Sequence, residues 1–415
     1  MNSMTPDSDF QTRNSILEGH GVLFINENLP LPFDIRPWQE ALALKEAGME
    51  VSVLCPRGKG FEKPYECLKG IHIYRHPFPK EADGPFGYLW EYGTALFWEA
   101  LYSWRIYRER RFEVIHVSNP PDLLFLIGLL HRWRGVRFIY DQHDICPEVF
   151  EAKFGKKGFM FRILLFQEWL SYKCAHRVIA TNNSYRDIAR TRGKKDPKTI
   201  FVVRTGPDLN RIPPVITPDP SLRRDKRYLV GYMGVIGKQE GLEYLIQVAK
   251  DLIGSYGRKD ILFLIVGGGT HLPIVQDLVK KEKLEEYFHF TGRVPDALLF
   301  HFLGNCDVCV NPDLFNQASN LSTMIKIMEY MALGKPIVQT DVVEGRFTAQ
   351  EASLYARPND SRDFAEKVLF LLENKEEAQR MGEFGKRRIE HDLNWNVQKQ
   401  ILFQAYESLW IKGKL

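Results

Sequence analysis

Short apolar runs alternate with longer amphipathic segments from residue 22 to residue 180 and again from 228 to 340, with a proline-rich stretch between the two series. In the first series, residues 22–26 (VLFIN), 50–55 (EVSVLC), 114–117, 138–140 and 177–180 read as strands, and 38–47, 123–133 and 159–174 as helices. The second runs strand 228–233, helix 242–253, strand 261–266, helix 273–281, strand 287–291, helix 297–303, strand 308–311, helix 323–333 and strand 336–340. Helices at 361–374, 376–388 and 395–410 follow. Strands separated by crossover helices pair in parallel and are covered on both faces, so each series predicts an α/β fold with a doubly wound parallel sheet.

Residues 206–227 (GPDLNRIPPVITPDPSLRRDKR) carry five prolines and no apolar period, which marks a linker. The 415-residue length exceeds the roughly 100–200 residues of one domain, so two cores are expected. The predicted division is a flexible tail over 1–20, a Rossmann-like domain over 21–206, a linker over 207–227, a second Rossmann-like domain over 228–390, and a terminal helix in 391–415 packing back toward the first domain. Open parallel sheets bind ligands at the carboxyl ends of their strands, so a cleft between the two domains is the expected site.

A hydrophobic fraction of 44% with 26% charged residues is that of a globular protein, and a net charge of +4 gives no reason to expect nucleic acid as a partner. The six cysteines are scattered and read as reduced thiols. Cys306 and Cys309 form a C-x-x-C inside a strand-like run with no second pair nearby, so buried thiols are expected rather than zinc. The most apolar long segment, 86–107, is interrupted by Glu91, Glu99 and Arg105 and does not read as a membrane span.

No G-x-G-x-x-G follows a strand and no P-loop is present, which disfavours a dinucleotide oxidoreductase. Gly267-Gly268-Gly269 follows a strand and opens a helix, consistent with a tight turn or, less simply, with amides facing an anion. The sole Asp-x-Asp, Asp7-Ser8-Asp9, sits in the expected tail, so no metal–diphosphate site is expected in the folded part. A diphosphate there would be held by backbone amides and by Lys238, Lys326 or Arg346. Glu329, three residues after Lys326 on a helix, shares its face and stands just before Gly334-Lys335-Pro336 and a new strand.

The ordered set of segments 34–48 (DIRPWQEALALKEAG), 141–148 (DQHDICPE), 203–208 (VRTGPD), 234–241 (GVIGKQEG), 290–292 (FTG), 307–312 (DVCVNP) and 329–336 (EYMALGKP) resembles family-four retaining glycosyltransferases of GT-B fold. The resemblance covers most of the chain. It implies that Glu329 binds the donor ribose, since a carboxylate accepts two hydrogen bonds, and that His143 orients the donor sugar. Lys326 or Lys238 would neutralise the diphosphate. The main chain at Arg293-Val294 would face the base. Leu321 replaces an acid usual in the family, so Ser322, Thr323 and Lys326 are left on the sugar side. Val235 and Glu240 replace a usual Arg and Lys, which shifts phosphate binding toward Lys238, Gln239 and a cradle from Gly234 and Gly237. Asp34, Arg36, Asp144 and Glu148 fall on the acceptor or phosphate side.

The resemblance implies a nucleotide-diphosphate sugar as co-substrate, uridine favoured over guanosine, no cofactor and no metal. The acceptor would be a glycan or a lipid-linked glycan in cell-surface polysaccharide or glycoconjugate synthesis. Aromatic residues with arginines or lysines at 86–111 and 153–166 suggest peripheral contact with anionic lipid, hence a cytoplasmic enzyme at the inner face of the plasma membrane. Core-facing helices explain the same pattern equally well. Two other readings stand beside the transferase: a nucleotide-sugar epimerase of the same architecture, and a catalytically silent nucleotide-sugar-binding partner.

Overall fold

A computed structural model describes residues 16–77, 84–155 and 157–410. Asp7-Ser8-Asp9 and most of the expected tail lie outside them, as do 78–83 and Lys156. The chain forms two compact units, Met1–Arg204 with Lys399–Leu415, and Thr205–Gln398.

The first unit holds eight strands: β1 (Gly21–Asn26), β2 (Glu50–Pro56), β3 (Tyr65–Leu68), β4 (Ile71–His76), β5 (Val114–Ser118), β6 (Arg137–Gln142), β7 (Arg177–Ala180) and β8 (Ile200–Val202). They lie in the order β3-β4-β2-β1-β5-β6-β7-β8. All pairs are parallel except β3 on β4. The β3–β4 hairpin, absent from the sequence reading, turns on Lys69 and Gly70, both at positive φ (51° and 78°), as a type I′ turn demands. The expected tail over 1–20 also runs too far into the fold: Leu17 is buried, and the Gly19 amide donates to the Gly48 carbonyl.

The second unit holds β9 (Tyr228–Met233), β10 (Ile261–Val266), β11 (Phe288–Gly292), β12 (Val308–Asn311), β13 (Ile337–Thr340) and β14 (Ser353–Ala356) in the order β11-β10-β9-β12-β13-β14, all parallel. Its core follows from the two-residue period of a strand covered on both faces. On β10, Ile261, Phe263 and Ile265 join one apolar cluster, and Leu262, Leu264 and Val266 the other. Each such side chain contributes roughly 1.5–3 kcal/mol by leaving water.

The proline-rich stretch is docked on this unit. Arg223 forks onto both oxygens of Asp307, the Asp219 amide donates to Asn305, and Ile216 packs on Gly304. Proline removed the periodicity by which such a segment could be read, without removing its contacts.

The loops after β9 and β10 cross in direct backbone contact. Gly267 sits at φ +138°, and a Cβ there would fall 1.9 Å from the Gly234 carbonyl oxygen. Gly267→Ala is therefore expected to cost roughly 2–3 kcal/mol in the second unit, read as a lower urea midpoint for that transition. Gly267 and Gly269 serve close packing, as the tight-turn reading requires.

Candidate active site

The strand order of the second sheet reverses between β9 and β12, the point where open α/β sheets leave a crevice at the carboxyl ends of their strands. Loop 234–241 follows β9 and Asp313 follows β12. Main-chain bonds zip the loops together: Gly234 N–H to Val266 O (3.1 Å), Ile236 N–H to Gly268 O (3.1 Å) and Gly267 N–H to Gly292 O (3.0 Å). The Gly237 amide donates to Val235 O at 3.1 Å. The expected cradle from Gly234 and Gly237 is thus not available, because both amides are already satisfied inside the protein.

Lys326 is buried, and its Nζ donates to Glu240 Oε2 (2.7 Å) and Asp313 Oδ1 (3.1 Å) beneath the Tyr232 ring. Burial pulls its ammonium toward neutrality, but Asp313, Tyr232 and Glu240 outweigh this and hold its pKa above the usual lysine value. Two carboxylates already neutralise this charge, so the assignment of Lys326 to the diphosphate is corrected: it holds the loop after β9 to the loop after β12. Arg346 is likewise engaged, forked onto Asp341 at the end of β13. Lys238 and Gln239 are exposed in the turn after β9, and Arg293 is exposed after β11. Val294 is partly buried against the core.

The expected helix over 323–333 begins later. A short helix, Gln317–Leu321, ends at Ser322, residues 322–324 are extended, and the next helix is Ile325–Ala332. The Ser322 hydroxyl donates to Ala318 O (2.7 Å), and Thr323 Oγ1 lies 3.4 Å from Glu344. Glu329 shares a helix with Lys326 but has a different neighbourhood: Arg211, and Asp296 just beyond β11. It is only 6% exposed, and its carboxylate forms no hydrogen bond with any described residue. Burial, partly offset by Arg211, pushes its pKa up to about 7. A buried acid without a donor is a vacant acceptor of two hydrogen bonds.

In the first unit, the sheet reverses between β1 and β5, and Arg36, just after β1, is buried there. It forks onto Asp141 (Nε–Oδ2 3.2 Å, Nη2–Oδ1 2.9 Å), meets Glu40 at 3.1 Å, and donates to Val203 O at 2.8 Å. Arg36 thus neutralises buried acids, which corrects its placement on the acceptor side. Asp141 stays ionised: burial raises its pKa, yet Arg36 and His143 outweigh this and hold it well below the carboxylate range. His143 Nε2 lies 2.6 Å from Asp141 Oδ2, which orients the ring. Asn119, after β5, places this loop by accepting from the His143 and Asp144 amides and donating to Asp144 O. Asp34 accepts from Asn26 at 3.2 Å. Burial raises the Asp144 pKa.

Glu148 is corrected as an acceptor ligand. Arg192 grips both its oxygens (2.6 and 3.2 Å) and also pairs with buried Glu168. Asp141, Asn119, Glu240 and Asp313 were missed as organisers of these loops. Asp141 had a signal, as the last residues of an apolar strand turning polar (YDQHD); the others show their roles only through partners distant in sequence.

Two halves of this kind, each a doubly wound parallel sheet with polar groups gathered at its switch point, define a glycosyltransferase of GT-B fold. The family described as Glycosyltransferase Family 4 matches residues 38–211 and that described as Glycosyl transferases group 1 matches 227–374. The chain belongs to these group 1, family 4 glycosyltransferases. It is similar to the N,N′-diacetylbacillosaminyl-diphospho-undecaprenol α-1,3-N-acetylgalactosaminyltransferase of Campylobacter jejuni, 23% identical over 80% of this chain and 84% of that protein. Among solved structures it is similar to sucrose-phosphate synthase from Thermosynechococcus elongatus (18% identity, TM-score 0.77, covering 94% of this chain and 99% of the other). It is also similar to Anabaena HepE in complex with UDP-glucose (16% identity, TM-score 0.67, covering 94% and 99%).

Proposed function

We propose that this glycosyltransferase is a retaining, metal-independent enzyme that transfers a hexose-type sugar from a nucleotide-diphosphate sugar, UDP favoured over GDP, to a hydroxyl of a glycan or lipid-linked glycan in cell-surface polysaccharide or glycoconjugate synthesis. The observation that carries the reading is Glu329, a buried carboxylate with no donor, which suits the two ribose hydroxyls. With Lys326, Gly234 and Gly237 engaged elsewhere, the diphosphate charge falls to Lys238, and the main chain at Arg293-Val294 meets the base. When His143 donates Nε2–H to Asp141, its Nδ1 is left as an acceptor for a sugar hydroxyl. Attack comes from the face the leaving group departs, with a donor phosphate oxygen taking the acceptor proton and the protein supplying orientation and charge. The names of the relatives support sugar nucleotides and, for the Campylobacter jejuni enzyme, a diphospho-undecaprenol acceptor.

A thermal-shift screen of nucleotide sugars with chromatographic detection of donor hydrolysis tests this. A UDP-sugar is expected to raise Tm and to be slowly hydrolysed, without added Mg²⁺ or Mn²⁺, and the product glycoside to keep the donor's anomeric configuration by NMR. No shift with any uridine, guanosine or thymidine sugar sinks the reading.

Membrane docking rests on the helices Gly84–Glu109, Phe125–Arg132 and Phe159–Cys174, of which the middle one packs on both others. They expose Phe97, Leu101, Leu129, Trp133, Phe159 and Phe166 among exposed Arg105, Arg132, Arg162 and Lys173. No helix among the described residues is long and apolar enough to cross a membrane. Exposed apolar side chains with cations among them on packed helices fit an anionic bilayer surface. Trp133→Ser combined with Phe159→Ser is expected to weaken sedimentation with phosphatidylglycerol vesicles by roughly tenfold or more. Unchanged sedimentation would leave these helices as a protein face only.

A further inference from the structure

We propose that Glu27, His76 and Glu99 form a binding site for a zinc-class divalent cation in the first unit. Glu27 is the residue after β1, His76 ends β4, and Glu99 stands on the helix Gly84–Glu109. One donor atom from each lies within 4.8 Å of those of the other two, and the three residues are buried, at 7%, 0% and 1% exposure. Small side-chain adjustments close this spacing to the roughly 3.3 Å edge of a zinc tetrahedron with bonds near 2 Å.

Three independent features point to a cation. Both carboxylate oxygens of Glu99 are buried with no N–H donor to meet them, and they lie against the Glu27 carboxylate, so two acids face each other across the cluster. Glu27 meets the His76 imidazole on one side and the Glu99 carboxylate on the other, and the nearby Arg75 is spent on Glu66 and on the carbonyls of Leu31 and Lys63. Two buried carboxylates beside one imidazole therefore have no fixed positive charge, and one divalent cation would bring the sum to zero. Finally, His76 Nδ1 lies 3.0 Å from the Pro77 carbonyl oxygen, which can only accept. Nδ1 therefore carries hydrogen, and Nε2 meets Glu27 at 2.8 Å through a proton that a bound metal would displace, in the orientation a metal-binding histidine takes when a carbonyl holds its other nitrogen.

The first unit's other such triad, Glu40, His116 and Asp141, supplies the contrast. There the guanidinium of Arg36 sits between the two acids, and no cation is called for. One nitrogen and two carboxylate donors suit zinc and its first-row neighbours better than Ca²⁺ or Mg²⁺, which prefer all-oxygen shells. Three protein donors leave a tetrahedral position for water. The bound ion would tie the carboxyl ends of β1 and β4 to the long helix. This role is structural and separate from the transfer step.

The test uses the full chain, dialysed against EDTA and titrated with zinc chloride, with metal content read by mass spectrometry and Tm by calorimetry. One zinc per chain and a rise in Tm of several degrees are expected, with no rise from Mg²⁺ or Ca²⁺. Glu99→Gln and His76→Gln should each lose the bound zinc and the zinc-dependent rise. Glu99→Gln should fold at least as well as the stripped wild type, because it removes an unneutralised buried acid, so its loss of zinc cannot be put down to unfolding. No binding at about 100 μM free zinc, which would saturate even a Kd of about 1 μM, overturns the proposal. So does zinc binding that Glu99→Gln leaves intact.

Discussion

Arg36→Met is expected to destabilise the first unit by roughly 3–5 kcal/mol, the usual cost of removing one partner from a buried ion pair. The guanidinium is 6% exposed and Asp141 and Glu40 are wholly buried, so the loss leaves two acids with no other fixed cation in contact. Methionine keeps most of the volume, which separates the charge effect from a cavity. The pH dependence supplies a sharper reading. In the wild type the Asp141 pKa lies below its unfolded value, so its contribution is present above that unfolded value and lost as pH falls toward the folded one. Without Arg36, burial is left as the dominant influence and the sign reverses: Asp141 then binds its proton more tightly folded than unfolded, and stability falls as pH rises. The deficit of the variant should thus be larger at pH 8 than at pH 5. Hydrogen exchange of the β1, β5 and β6 amides reads this unit by itself, which matters in a chain of two units. Adding Asp141→Asn to Arg36→Met should recover part of the loss; strictly additive losses would show that the pair does not couple.

Glu329→Gln is expected to weaken UDP-sugar binding by roughly 10- to 150-fold, the equivalent of about 1.5–3 kcal/mol for hydrogen bonds to a charged group, while stabilising the free protein. The second effect follows from its pKa of about 7 against an ordinary 4.5. An acid whose folded pKa is raised stabilises the fold below its unfolded value and loses that contribution as pH climbs to the folded one. Between about pH 4.5 and 7 the wild type should therefore lose up to about 3 kcal/mol that the glutamine variant keeps. Melting curves should coincide near pH 4.5 and separate by pH 8, with the variant higher. Donor affinity should move the opposite way, rising through pH 7 as the acid ionises, and this rise should be absent from the variant. If the variant binds UDP-sugar as well as the wild type, Glu329 is not the ribose ligand. If it binds weakly yet gains no stability at pH 8, the acid has an unseen partner in the free protein.

How much could be read from the chain follows from the range of each interaction. The β10 run, ILFLIV, is apolar at every position because both faces are covered, so its strand was plain from six residues. β1 and β9 are buried over nearly their whole length for the same reason. The short edge strands β3, β8 and β14 were not legible: they are three or four residues long and partly exposed, so no apolar run announces them. Glu329 stood out on its helix by sequence, but its burial and want of a donor come from Arg211, Asp296 and the packing around them.

The sequence by itself determined two parallel sheets, the alternation of their buried strands with helices and the segments that carry polar groups to the strand ends, because backbone periodicity and turn chemistry are local. Only the tertiary structure decided which of those groups remain available. Lys326 met Glu240 across 86 residues, Arg36 met Asp141 across 105, and Glu148 met Arg192 across 44. In a buried, weakly screened setting, an ion pair forms wherever folding brings opposite charges within about 3–4 Å, and sequence spacing does not encode that distance.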